Sequence, residues 1–100
     1  MTLKEKILKQ TVIMSKDRKL IVQSSGRDRM VALVDGSRSK TTIYKSAKAV
    51  ISQAENWRFT IEAREHLTKN YPSLLTASGG LDWDNIKELF EPVTIEELIK

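Results

Sequence analysis

Three short apolar runs, separated by turn residues, constrain the fold of this chain more than any other feature. They cover residues 11–15, 19–23 and 29–35. The segments 16–26 and 27–37 (KDRKLIVQSSG and RDRMVALVDGS) align without a gap as a basic residue, Asp and Arg, followed by an apolar run and a small-residue turn. This repeat has the length of one strand plus one turn, so the sequence predicts a three-stranded antiparallel meander.

The third run indicates that both faces of this sheet are covered. Alternate side chains of a strand point to opposite faces, and here both sets are apolar, with Met30 and Ala32 on one side and Val31 and Leu33 on the other. Such a sheet needs helices on both sides or a second protomer on one of them. We expect helices of the same chain, with a homodimer as the alternative.

Helical patterns precede and follow the three runs. Thr2 and Glu5 form a capping box that starts a helix over residues 2–10. Apolar residues at helical spacing predict four further helices, over 42–56, from about 60 to 71, over 83–90 and over 94–100. The second of these ends at Tyr71-Pro72 and the third at Pro92. Trp57, Phe59 and Ile61 also alternate with polar residues like a strand, but we favour a helix that starts near Thr60, with Trp57 and Phe59 as core anchors.

These elements predict an α+β fold with a small three-stranded antiparallel sheet, an N-terminal helix on one face and three to four C-terminal helices on the other. A chain of 100 residues fits a single domain over 1–100. Within it, residues 1–56 comprise the first helix, the basic meander and a helix, whereas residues 57–100 are helical and acidic.

Composition excludes several classes of protein. The chain is 40% hydrophobic and 30% charged, which is typical of globular rather than disordered or fibrous proteins. It has no Cys, so disulfide frameworks and thiolate metal sites are excluded. The longest apolar run, Met30 to Val34, is far shorter than the roughly 20 residues of a membrane helix. We therefore expect no membrane association and a cytoplasmic location.

Charge is distributed unevenly along the chain. Residues 1–48 contain 12 Lys and Arg against 4 Asp and Glu, whereas residues 49–100 contain 5 against 9. A basic half of this kind is suited to nucleic acid, and the Ser and Thr residues at 37–42 would add neutral donors for a phosphate backbone. The candidate nucleic-acid-binding residues are Lys16, Arg18, Lys19, Arg27, Arg29, Arg38, Lys40, Lys45 and Lys48.

The function predicted from this half is that of a small nucleic-acid-binding or accessory regulatory protein that contacts the phosphate backbone of DNA or RNA. An equally open interpretation is that the positive charges only solvate a sheet edge and discourage aggregation there. Asp17, Asp28 and Asp35 are interleaved with the cations and would repel nearby phosphates.

The acidic half supports an alternative function. Its amphipathic helices carry apolar and aromatic side chains beside acidic ones, as expected of a surface that binds a partner protein. The chain would then be an adaptor, an inhibitor or a phage-type effector. The candidate protein-binding residues are Trp83, Phe90, Ile95, Leu98 and Ile99.

No pattern in the sequence indicates an enzyme. His66 is the only histidine, and we expect it to be exposed or hydrogen-bonded to Glu62, one helical turn away. The pair Gly79-Gly80 lacks the Lys of a phosphate-binding loop, and Asp82 begins a helix rather than a calcium loop. We predict no catalytic residue, no metal site and no cofactor.

Overall fold

The computed structural model describes residues 2–25, 28–36, 42–78 and 80–98. The strands are β1 (Thr11–Ser15), β2 (Leu20–Ser25), β3 (Asp28–Leu33), β4 (Arg58–Phe59) and β5 (Phe90–Thr94). The α-helices are α1 (Leu3–Leu8), α2 (Ala47–Ile51), α3 (Ile61–Asn70), α4 (Trp83–Leu89) and α5 (Ile95–Leu98). Two short 3-10 helices cover Ala54–Asn56 and Pro72–Leu74.

The predicted three-stranded antiparallel sheet is wrong, although the α+β class is correct. The sheet has five strands in the order β4-β3-β2-β1-β5, and it is mixed because β4 runs parallel to β3. The three predicted strands form its centre as an antiparallel meander. The two additional strands come from residues 57–100, which were predicted to be helical.

Strand β5 replaces the expected junction between two C-terminal helices. It pairs antiparallel with β1 from Thr11 opposite Thr94 to Ser15 opposite Phe90. Pro92 was expected to end a helix, but a proline is tolerated in an edge strand because its missing N–H is not needed on the solvent side. Val93 is fully buried opposite Val12, and this burial stabilises the strand.

The predicted helix over 42–56 is shorter and interrupted. Tyr44 lies alongside β1, where its backbone N–H donates to the carbonyl oxygen of Thr11 at 2.8 Å. The helix α2 therefore begins only at Ala47 and ends at Ile51, before the 3-10 helix Ala54–Asn56. Pairing of Tyr44 with the sheet thus overrides the helical pattern of this segment.

Helix α3 starts and ends where the sequence predicts. The Thr60 hydroxyl oxygen accepts a hydrogen bond from the Ala63 N–H at 3.1 Å, which caps the first turn. Tyr71 ends the helix before Pro72. The buried side chains of Ala63 and Leu67 turn its inner face toward the main core.

Both faces of the sheet are buried within one chain. The main core lies on the face of Ile13, Leu20 and Val31, against residues of α2, α3 and α4. A smaller cluster on the opposite face contains Val12, Met14, Ile21 and Val93, each at most 6% exposed. A second protomer is thus not needed to cover either cluster. Within the described ranges no helix is long and apolar enough to cross a membrane.

Candidate nucleic-acid interface

The sheet places the predicted basic residues at two opposite ends. At one end, here called the turn end, Ser15 pairs with Phe90 and residues 16–19 connect β1 to β2. At the other end, Thr11 pairs with Thr94 and Ser25 with Asp28. Lys16, Arg18 and Lys19 lie at the turn end, whereas Arg29 lies at the opposite end. The candidate residues that the structure describes therefore do not form one continuous surface.

At the turn end, Arg18 is held by acidic side chains. Its backbone adopts a left-handed conformation with φ of 63°, and its Nη1 donates to the Ser15 carbonyl oxygen at 3.1 Å. Its Nη2 lies 2.7 Å from a Glu91 carboxylate oxygen and 3.7 Å from one of Glu97. Lys16 and Lys19 are exposed on either side of Asp17. This end therefore carries mixed charge.

Asp17 organises the turn end through four hydrogen bonds. One carboxylate oxygen accepts from the Ser15 hydroxyl and from the Lys19 N–H, the latter at 2.9 Å. The other oxygen accepts from the Tyr71 hydroxyl at 2.7 Å and lies 3.0 Å from His66 Nε2. The turn is thereby joined to the C-terminal end of α3.

These contacts shift the pKa values of the Asp17 carboxyl and the Tyr71 hydroxyl. Burial alone would raise the pKa of the Asp17 carboxyl, but hydrogen bonds from Ser15, His66, Tyr71 and the Lys19 N–H outweigh burial and hold it well below its usual range. Burial and the neighbouring Asp17 carboxylate raise the pKa of Tyr71 to about 12. Asp17 is therefore ionised, and Tyr71 is a donor, at every pH near neutrality.

The expected pairing of His66 with Glu62 is wrong. His66 contacts Asp17 through Nε2, and its Nδ1 lies 3.2 Å from Asn70 Nδ2. Asn70 Nδ2 also donates to the His66 carbonyl oxygen at 3.0 Å, so an amide N–H faces Nδ1. This arrangement favours the tautomer with the proton on Nε2. Because Asp17 is 49 residues away in sequence, no local pattern could have revealed this contact.

The Ser15, Asp17 and His66 side chains do not form a nucleophilic triad. A triad needs the histidine to accept the serine proton, but here the Ser15 hydroxyl donates to Asp17 instead. Ser15 is also fully buried, and its oxygen accepts from the Leu20 N–H at 3.0 Å. The cluster is thus suited to holding the turn in place rather than to attacking a substrate.

The opposite end of the sheet carries cations without acidic partners. Arg29 stacks over the Tyr44 ring with its guanidinium carbon 5.5 Å from the ring centre. Lys45 follows Tyr44 and Lys48 lies in α2, and both are exposed. Among the described residues, none of these three cations forms an ion pair. We call Arg29, Lys45 and Lys48 the basic end.

A small pocket of about 200 Å³ adjoins the basic end, and Arg29 and Trp57, two of its lining residues, each have one unsatisfied donor. The Nε–H of Arg29 and the Nε1–H of Trp57 are both buried and have no hydrogen-bond partner. A buried donor without a partner costs about 1–3 kcal/mol. The lining residues are Asp28, Arg29, Val50, Gln53, Asn56 and Trp57.

A wider groove of about 450 Å³ is also lined by Trp57. It combines aromatic side chains with two arginines, and the Phe59 and Trp83 rings are 6.2 Å apart at an interplanar angle of 48°. Its lining residues are Trp57, Arg58, Phe59, Arg64, Gly80, Leu81 and Trp83. We call it the aromatic groove. The prediction that Trp57 and Phe59 anchor the core is confirmed, because Trp57 belongs to the main core and Phe59 packs against it. The groove that they also line was not predicted.

The alternative protein-binding residues are dispersed. Phe90 is only 3% exposed and packs edge to face on Trp57, with ring centres 5.1 Å apart. Trp83 lines the aromatic groove, and Ile95 is half-buried at the start of α5. The Leu98 side chain and Ile99 lie outside the described residues, as do the predicted nucleic-acid-binding residues Arg27, Arg38 and Lys40.

Comparison with known proteins adds no functional information. No family model matches the chain, and it has no significant match among curated proteins or solved structures. Within the described part of the chain, no group of three or more His, Cys, Asp or Glu side chains is arranged to hold a metal ion.

Proposed function

We propose that this protein binds nucleic acid through the basic end and the adjoining aromatic groove. The observation that carries the proposal is that Arg29, Lys45 and Lys48 lie together without an ion pair in the described structure, whereas Arg18 at the turn end is neutralised by Glu91 and Glu97. Unpaired cations on rigid elements are the groups that contact phosphates. The proposal includes a cytoplasmic location.

The aromatic groove supports single-stranded nucleic acid as the preferred form. Phe59 and Trp83 are half-buried, so part of each ring is open to solvent. Arg58 and Arg64 are exposed beside them. Aromatic rings flanked by cations are typical of proteins on which unpaired bases stack. Among the described residues, Arg58 forms its ion pair with Asp28, whose carboxylate lies 3.4 Å from the Arg58 Nε.

Binding of a partner protein through the acidic half, residues 57–100, is the weaker candidate function. Phe90 belongs to the main core, and β5 is a strand of the sheet rather than a free amphipathic helix. A truncation after Phe90 would therefore remove an edge strand and test folding rather than partner binding.

The experiment is fluorescence anisotropy with labelled single-stranded DNA, duplex DNA, single-stranded RNA and duplex RNA over about 50 to 300 mM salt. Three phosphate contacts predict a slope of log affinity against log salt near −3 for duplex DNA and near −2 for single strands. The measurement ranks DNA against RNA and single against double strands. Absence of binding at about 50 mM salt would contradict the proposal, since electrostatic attraction is strongest there.

A matched pair of double variants locates the interface. Lys45→Gln with Lys48→Gln should weaken binding and make the salt slope shallower by nearly 2. Lys16→Gln with Lys19→Gln removes the same charge at the turn end and should leave both quantities close to wild type. Equal losses in the two double variants would mean that only net charge matters, which contradicts a defined basic end.

A further inference from the structure

We propose that the aromatic groove selects guanine, so that the protein prefers single strands that contain this base. This inference rests on the proposed function, because it names the base that the groove takes from a bound strand.

The side chains of the groove offer donors and no acceptors. Among the residues that line it in the described structure, the polar side-chain groups are the guanidinium groups of Arg58 and Arg64 and the indole N–H groups of Trp57 and Trp83. Both kinds of group donate hydrogen bonds and do not accept them. The Trp57 Nε1–H is buried, so the contact with a ligand is assigned to the exposed arginines.

Arg64 is the arginine best placed to contact a base. Among the described residues it forms no ion pair, whereas the Arg58 Nε lies 3.4 Å from the Asp28 carboxylate. The backbone of Arg64 is fixed in the helix α3, where its N–H donates to the Thr60 carbonyl oxygen at 3.0 Å and its carbonyl oxygen accepts from the Thr68 hydroxyl at 2.9 Å. An exposed guanidinium on a rigid helix can offer two parallel N–H groups to a ligand without losing an ion pair.

The two aromatic rings determine how a base lies in the groove. The ring centres of Phe59 and Trp83 are 6.2 Å apart and the rings are inclined by 48°. A base sandwiched between parallel rings needs about 7 Å, which is twice the contact distance between carbon atoms. The base therefore stacks on the open part of one ring and keeps its edges for hydrogen bonds. Stacking itself accepts every base, so selectivity depends on the edge that meets the arginine.

Guanine is the base whose edge fits a site that only donates. Its O6 and N7 are adjacent acceptors, and one arginine contacts both of them at once. Adenine has an amino group beside its N7, and cytosine presents an amino group in place of an acceptor, so each would direct a donor at the guanidinium. Thymine and uracil offer the single acceptor O4. Guanine therefore gains two hydrogen bonds where the other bases gain one or none.

The test compares single strands of about 12 nucleotides, made of DNA or RNA according to which binds more tightly, with TG, TC or CA repeats (UG, UC and CA in RNA). We expect the guanine strand to bind at least about fivefold more tightly than the other two, as a bidentate arginine contact contributes. In a fourth strand 7-deazaguanine replaces guanine, which keeps the stacking surface but removes the N7 acceptor. Its advantage over the TC strand should fall to less than about threefold.

A matched pair of variants assigns the contact to Arg64. Arg64→Gln removes the guanidinium and introduces an amide, which suits adenine rather than guanine, so the ratio of guanine-strand to CA-strand affinity should fall to less than about twofold. Lys45→Gln removes the same charge from the basic end, outside the groove. It should weaken all strands alike and leave the guanine preference unchanged.

Each of the other outcomes contradicts a defined step. Equal binding of the guanine and CA strands, or undiminished binding of the 7-deazaguanine strand, would mean that purine stacking alone decides and would overturn the inference. An undiminished guanine preference in Arg64→Gln would overturn the role of Arg64. Equal binding of all strands would overturn guanine selection and leave the proposed function standing, whereas failure to bind any strand would overturn the proposed function itself.

Discussion

Replacing Asp17 by Asn tests whether the partly buried acceptor at the turn end stabilises the fold. The Asn amide keeps one oxygen for Ser15 and Lys19 but directs an NH2 group toward the donors of His66 and Tyr71. The Tyr71 hydroxyl can rotate to accept, whereas His66 Nε2–H is left facing a donor. A hydrogen bond to a charged group contributes about 1.5–3 kcal/mol, and the Asp17 side chain is 25% exposed. We expect a loss of about 2 kcal/mol.

The assay is equilibrium urea unfolding at pH 7, supported by thermal unfolding. A loss of about 2 kcal/mol corresponds to a fall in Tm of roughly 8 to 16 °C for a domain of this size. The matched control is Asp35→Asn, which removes an exposed carboxylate from the next turn at the same end of the sheet. This control should stay within about 0.5 kcal/mol of wild type.

The pH dependence gives an independent check on the same reasoning. The pKa of Asp17 in the folded protein lies below its ordinary value of 3.8, so the unfolded chain takes up a proton before the folded chain does. The stability that Asp17 contributes is therefore fully present above about pH 5 and is lost progressively as the pH falls below about 4. A loss smaller than about 0.5 kcal/mol at pH 7, or a difference between the two proteins that stays constant down to about pH 2, would refute the reasoning.

Two further predictions concern the core and the sheet. Leu67→Ala should lower the free energy of unfolding by about 2–5 kcal/mol because Leu67 is 1% exposed in the main core. Ile61→Ala in the same helix should lower it by less than about 0.5 kcal/mol because Ile61 is 75% exposed. Urea unfolding of the two variants checks both values, and similar losses would contradict the packing of α3. A chain that ends at Phe90 should lack cooperative thermal unfolding, because it loses the partner strand of β1; a cooperative transition close to that of the full chain would contradict the role of β5.

The elements that sequence analysis predicted correctly are those with local determinants. The strands β1 to β3 follow from period-2 patterns and turn residues, and α3 follows from the Thr60 cap and the Tyr71-Pro72 boundary. Residues 57–61 gave conflicting patterns, and the structure explains why. The alternation of Arg58 and Phe59 belongs to β4, and the helical pattern begins immediately after it, at Ile61.

The elements that sequence analysis missed depend on distant partners. Strand β5 is defined by pairing with β1 at the other end of the chain, and Pro92 concealed it because a proline both ends helices and occurs in edge strands. The Asp17 contact with His66 crosses 49 residues. At the candidate site, the sequence identified Arg29, Lys45 and Lys48 as cations, but only the fold separates them from Lys16, Arg18 and Lys19. The unsatisfied Trp57 Nε1–H likewise follows from packing alone.

Because β1 is synthesised before its partner strand β5, one edge of β1 is unpaired while the chain is being made. Residues 11–15 can form a hairpin with β2 as soon as both strands have been synthesised. The other edge of β1 can pair only after residues 90–94 have been synthesised. Until then, the β1 backbone presents unpaired N–H and C=O groups beside Val12 and Met14. The segment 90–94 of a second copy fits that edge as well as the chain's own segment does. Crowded nascent chains are therefore exposed to strand exchange, the first step of a domain-swapped assembly.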